Sequence, residues 1–149
     1  MKMPEKIDTI MFAPCGMNCK LCIKHLSETN SCPGCLIDSP NKTKNALKCK
    51  IKKCLETKRV KYCGRCSEFP CKLIKKQDKN YKKRYNFSTL DNAKRITYTG
   101  INKIMLEDSI NWKCESCGGI ISIQEHICSE CGLKNGNKEL LFQLKDNWK

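Results

Sequence analysis

Cys114-Glu115-Ser116-Cys117-Gly118-Gly119 and Cys128-Ser129-Glu130-Cys131-Gly132 are two near-identical knuckles with ten residues between them. A C-x2-C turn presents two soft ligands from one tight loop, and a tetrahedral Zn²⁺ takes four such ligands at about 2.3 Å. The glycine after each pair lets the backbone curl around the sulfur. Between the knuckles, Ile120-Ile121-Ser122-Ile123 predicts a strand and Gln124-Glu125 a turn. The stretch therefore predicts a zinc ribbon with Cys114, Cys117, Cys128 and Cys131 as ligands. His126 is close in sequence, but four cysteines fill the site, so it is expected at the surface.

Ten further cysteines lie between Cys15 and Cys71, which makes fourteen in 149 residues. That level marks either a disulfide scaffold or a metal-binding protein. The start, Met1-Lys2-Met3-Pro4-Glu5-Lys6-Ile7-Asp8, leads into no apolar targeting segment, and no run approaches a membrane span. A cytoplasmic, reducing setting is the expectation, and there cysteine pairs hold metal more often than they form disulfides.

The ten fall into C-x3-C-x2-C (Cys15, Cys19, Cys22), C-x2-C (Cys32, Cys35), C-x4-C (Cys49, Cys54) and C-x2-C-x4-C (Cys63, Cys66, Cys71). Ten ligands suit two four-coordinate sites with two thiols over, or one bridged cluster. Sequential and interleaved pairings fit the spacings equally. Local closure is the preferred expectation, with Cys19, Cys22, Cys32 and Cys35 in one site and Cys54, Cys63, Cys66 and Cys71 in the other. Cys15 and Cys49 are then spare or replace a neighbour, and His25 is a bystander. The expected total is about three Zn²⁺ per chain.

An iron–sulfur cluster at Cys15, Cys19 and Cys22 is the alternative cofactor, although the ferredoxin run C-x2-C-x2-C-x3-C-P is absent. The same three cysteines match the signature of radical S-adenosylmethionine enzymes. However, Leu21 stands where an aromatic residue is common, and the chain lacks the βαβ repeats of their partial barrel.

Only twelve large apolar residues lie between Cys15 and Cys71, so metal is expected to take the place of a core there. Each structural zinc can contribute roughly 10–16 kcal/mol in small peptides. The cysteine-free stretch 72–112 reads as helices. Ser67 with Pro70 predicts one start, and Ile74, Gln77, Tyr81 and Tyr85 share a face to about residue 85. Ser88 with Asp91 predicts the next helix, ended by Gly100, and Ile101, Ile104 and Met105 predict a third before Trp112. Helical spacing assigns Tyr81, Tyr85 and Phe87 to packing rather than to base stacking. The fold class expected is a small metal-stabilised α+β protein. Its units are a cysteine-rich domain with central helices at 1–100, and a linker helix with the zinc ribbon at 101–149.

The formal charge of +14 is concentrated: residues 42–84 hold seventeen Lys/Arg against three acids, and the remainder balances. Three four-thiolate zinc sites, each of net charge −2, would bring the total from +14 to +8. With 25 Lys and only 4 Arg, nucleotide bias explains such a composition as well as an anionic partner does. Nucleic acid or an acidic protein are the partner classes the charge fits, and lysine favours sequence-indifferent phosphate contact. The sequence has no phosphate loop and no His-Glu-x-x-His motif, and neither histidine has an evident nucleophile partner. The leading expectation is a non-enzymatic zinc-binding adaptor or scaffold.

The order Cys15-Gly16-x-x-Cys19-x-x-Cys22, Cys32-Pro33-Gly34-Cys35, Cys49-x4-Cys54 and Tyr62-Cys63-x-x-Cys66-x-Glu68-Phe69-Pro70-Cys71 resembles a family of small cysteine-rich prokaryotic proteins of unknown function. The likeness extends to about Gly100, two thirds of the chain, with the ribbon from Trp112 as an appendage. Ile23 departs from the proline common after the third cysteine. The resemblance implies metal binding, with zinc as the metal, and no established activity.

Overall fold

Ser88 opens the helix around which the other elements gather. Its Oγ accepts from the Asp91 amide at 3.0 Å, the cap expected from the sequence, and donates to the Asp78 carboxylate at 2.6 Å. The computed structural model describes residues 1–134, so residues 135–149 of the expected 101–149 unit lie outside the described residues. The short helices α1 (Ile23–Leu26) and α2 (Lys44–Leu47) precede α3 (Lys50–Lys58), α4 (Lys72–Tyr85), α5 (Thr89–Tyr98) and α6 (Ile101–Asn111).

Two boundaries differ from expectation. α4 starts at Lys72, not near Ser67, because residues 63–69 form the cysteine loop: a 3₁₀ turn spans Cys63–Arg65, and Phe69 N–H donates to the Cys66 carbonyl at 3.1 Å. The strand expected at 120–123 is realised only as isolated bridges. Each of those four amides bonds a different segment: Ile120 to Met1, Ile121 to Trp112, Ser122 to Ile127 and Ile123 to Leu21. No ladder accumulates when partners change at every residue. The described residues are mostly helical, and their β-structure is confined to antiparallel bridges such as Lys2 with Gly119 and Ile121 with Cys128.

The expected lack of a core is corrected by the structure. Phe12, Leu21, Ile74, Ile96, Ile104, Met105, Ile120 and Ile123 are fully buried and belong to one apolar cluster that also takes in Ile51 and Leu55. The cysteine-rich stretch borrows apolar partners from the residues before Cys15, from the helices and from the ribbon. Counting within 15–71 missed them. The inward face of α4 carries Ile74, Tyr81 and Tyr85, as the periodicity predicted.

A buried polar chain locks the first cysteine loop onto α5 and α6. Asn18 donates to Asp108 at 2.9 Å, and Arg95 donates to the other Asp108 oxygen at 3.0 Å and to Asn92 at 2.8 Å. Asn92 in turn donates to the Gly16 carbonyl. Two glycines permit the contact with α5. A Cβ on Gly64 would stand 2.1 Å from the Ala93 carbonyl oxygen, and one on Gly16 (φ +96°) 2.5 Å from that of Thr89.

Candidate metal centre

The ribbon brings four thiols to one point. The ligand atoms of Cys114, Cys117, Cys128 and Cys131 all lie within 4.8 Å of one another, and among the described residues no other group of three or more metal-binding side chains does so. Each knuckle is built the same way. The Gly118 amide bonds the Cys114 carbonyl at 2.8 Å and the Gly132 amide bonds the Cys128 carbonyl at 3.1 Å. Both glycines take positive φ, +75° and +74°, which is why glycine follows each pair. Gly119 N–H points at Cys117 Sγ (3.3 Å) and Glu130 N–H at Cys128 Sγ (3.4 Å).

The sulfur spacing tests the fit to a metal. Cys114 and Cys131 are 3.7 Å apart and Cys117 and Cys128 are 3.5 Å apart. A tetrahedron with metal–sulfur bonds of about 2.3 Å has edges of about 3.8 Å. Two of the six sulfur–sulfur separations therefore already match a four-coordinate soft-metal site, and the others lie within 4.8 Å. Cys114 and Cys128 are buried, while Cys131 is exposed.

The other ten cysteines are free thiols. Cys54, Cys63, Cys66 and Cys71 line one apolar cavity with Ile51, Leu55, Phe69 and Ile74. Burial pushes the Cys63 thiol up to about 12, and the neighbouring thiols add to the shift. Cys19 and Cys35 touch through a Cys35 N–H to Cys19 Sγ contact of 3.4 Å. Cys15 is buried near Cys35 and Cys49, and burial pushes its thiol up to about 12. Cys22 Sγ accepts from Gln124 at 3.3 Å. Cys32 is buried, and its carbonyl accepts from His25 Nδ1 at 2.7 Å.

Both histidines are tied into the fold more closely than the sequence suggested. His25 stands outside the four-sulfur group and closes the 22–32 loop, and burial lowers its proton affinity. His126, expected at the surface, is partly buried: it packs edge-on against Trp112 at 6.2 Å and donates from Nε2 to the Tyr85 carbonyl at 2.9 Å. Sequence reasoning also missed Gln124, whose carbonyl oxygen accepts from Ile23 N–H at 3.0 Å while its amide serves Cys22. It missed Arg95 as well. Its being one of only four arginines beside 25 lysines was the available signal, because the planar fork reaches two carboxylates at once.

These features define a cysteine-rich chain, mostly helical over the described residues, in which Cys114, Cys117, Cys128 and Cys131 form a group that could hold a metal ion. Residues 11–76, which contain all ten cysteines of the first group, match a family model described as a protein of unknown function (DUF3795). The match ends inside α4, short of the Gly100 limit expected from the motif order. No curated protein and no solved structure matches the chain. No helix among the described residues is long and apolar enough to cross a membrane.

Proposed function

We propose that the chain is a zinc-binding scaffold module, with metal holding loops that present a surface to a partner rather than performing chemistry. The observation that carries the reading is the ribbon's sulfur geometry, 3.5 and 3.7 Å across opposed pairs. All-cysteine tetrahedral sites are closed, since every coordination position is filled by protein, and closed sites are structural. Cys54, Cys63, Cys66 and Cys71, gathered around one cavity, supply a second set of four. Four cysteine ligands suit zinc, the d¹⁰ ion that such a donor set takes without redox chemistry. Anaerobic purification followed by elemental analysis and an absorption spectrum tests this. The expectation is about three zinc per chain and no visible colour. Stoichiometric iron with acid-labile sulfide would replace this reading with the iron–sulfur one.

The exposed cations favour a particular kind of partner. Lys50, Lys53, Lys58 and Arg59 on and beside α3, and Lys72, Lys75, Lys76, Lys79, Lys82, Lys83 and Arg84 on α4, are exposed. Tyr81 packs on the core and its ring meets Tyr85 at 5.2 Å, so neither ring stands free to stack on a base. This surface suits sequence-indifferent contact with phosphates, and duplex DNA is the probe. Each phosphate contact adds roughly −0.9 to the log–log salt slope. A flat salt dependence would exclude the nucleic-acid reading and leave an acidic protein.

A further inference from the structure

One aromatic ring stands apart from the others. Among the described residues, Phe12, Tyr62, Phe87 and Trp112 are buried, and Phe69, Tyr81 and Tyr85 pack against the apolar cluster. Tyr98, the last residue of α5, is 81 % exposed and lies outside that cluster. None of the ring-to-ring contacts among the described residues involves it. A ring this open can take a flat partner, and every nucleobase offers a π-face to match it.

The surroundings of Tyr98 are cationic. Lys94 lies one turn before it on α5, where i and i+4 side chains are neighbours with about 5–6 Å between Cβ atoms. The Cys63–Cys66 turn is pinned against the same end of the helix. Thr97 Oγ1 donates to the Gly64 carbonyl at 3.1 Å, and Gly64 sits so close to Ala93 that no Cβ fits between them. Arg65 follows Gly64 in the chain and Tyr98 follows Thr97, so their Cα atoms are at most about 12 Å apart. The turn is itself fixed: Arg65 N–H donates to the Tyr62 carbonyl at 3.1 Å and Cys66 N–H to the Cys63 carbonyl at 3.0 Å. Arg65 is exposed and Lys94 half-buried, and among the described residues neither pairs with a carboxylate. Asp91, the acid on this face of α5, lies two turns further back, about 10 Å along the axis.

A duplex keeps its bases stacked on one another. A single strand can turn a base onto a protein ring while its phosphates meet cations on either side. We propose that the C-terminal end of α5 and the Cys63–Cys66 turn form a contact site for single-stranded nucleic acid, in which Tyr98 stacks on a base while Arg65 and Lys94 hold the flanking phosphates. The proposal rests on the phosphate-contact reading above and adds a base contact that the lysines of α3 and α4 cannot supply. Because every base has a π-face, the contact is indifferent to sequence.

Fluorescence anisotropy of the full zinc-loaded chain, with a labelled thymidine 20-mer and with a labelled mixed-sequence DNA duplex, supplies the test. Tyr98→Ala should weaken single-strand binding by about fivefold or more, the lower end of what one stacked base contributes, and leave duplex binding unchanged. Tyr98→Phe keeps the ring and should match the parent. The salt slope on the single strand should be the same in Tyr98→Ala as in the parent. It should fall by about 0.7 in Arg65→Gln, the share of one phosphate contact. Tyr98 is outside the apolar cluster, so its loss leaves the fold in place. Single-strand binding that survives Tyr98→Ala overturns the stacking proposal and spares the phosphate-contact reading. Equal weakening on single strand and duplex overturns it as well, and so does a Tyr98→Phe chain that behaves like Tyr98→Ala. A parent chain that binds neither probe overturns both readings.

Discussion

Replacing Asp108 with alanine should unfold this protein more readily than any single surface change, and the size of the effect follows from what Asp108 holds. Its side chain is 4 % exposed and that of Arg95 is 6 % exposed, with 3.0 Å between donor and acceptor. Removing one member of a buried ion pair typically costs about 3–5 kcal/mol, because the remaining charge stays buried without its partner. Glu107 still pairs with Arg95 at 2.7 Å and moderates the loss, but its side chain is 29 % exposed and the pair is correspondingly screened. Against this, the Asn18 amide loses its 2.9 Å acceptor, which adds about 1 kcal/mol or more. The expected total is about 3–5 kcal/mol, a large share of the roughly 5–15 kcal/mol available to a typical domain. Urea unfolding of the zinc-loaded protein measures it, with Asp108→Asn as the shape-preserving comparison. The double change Arg95→Met with Asp108→Leu should cost less than Asp108→Ala alone, since it leaves no orphaned charge. If Asp108→Ala unfolds within 0.5 kcal/mol of the parent, on the scale of ordinary surface changes, the buried chain does not anchor the first cysteine loop.

Gly64→Ala drives a methyl group into the Ala93 carbonyl oxygen at 2.1 Å, so the Cys63–Cys66 loop must lift from α5. We expect a loss of about 1–3 kcal/mol or more and faster chelator stripping of a cavity-lining ion, read by denaturant titration and by the kinetics of metal release. Replacing Cys114 and Cys117 with serine should remove one zinc equivalent. It should also weaken amide-exchange protection around Leu21–Ile23, because Ile123 and Gln124 bond that segment directly. Unchanged protection there would mean that the ribbon is energetically separate. Acidification should expel metal from the N-terminal thiols. Burial holds Cys15 and Cys63 up to about 12, so both must give up protons to bind. Retention should therefore improve with rising pH and fall by about tenfold per pH unit for each proton displaced, as followed by a zinc-responsive dye.

What the sequence revealed and what it hid divide by the range of the interaction. The ribbon knuckles, the Ser88 cap and the inward face of α4 were legible because each is set by residues a few positions apart, where spacing encodes geometry. Asn18 with Asp108, Gln124 with Cys22 and His126 with Tyr85 were not. Those partners are separated by 90, 102 and 41 residues, and no local period marks them. The same limit affected the estimate of the core. Twelve apolar residues between Cys15 and Cys71 looked too few because Ile104, Met105 and Ile120, which complete their packing, arrive from elsewhere in the chain. The split of the cysteines into the C-terminal four and the earlier ten was readable, whereas the spacings left the grouping within the ten open.

The amide of Met3 is bonded to the carbonyl of Gly118 at 2.9 Å, and Lys2 bridges to Gly119. A ribosome makes the first of these residues more than a hundred peptide bonds before the second. The opening segment therefore leaves the exit tunnel with its pairing partner not yet synthesised, and Ile7 and Phe12 emerge with it in need of cover. Loop-closure entropy makes so distant a contact slow to form. During that interval the nascent chain exposes apolar side chains and thiols together. The Met3–Gly118 contact can form only once residue 118 has cleared the tunnel, so a synthesis pause before that residue would extend the time in which Ile7 and Phe12 stay uncovered.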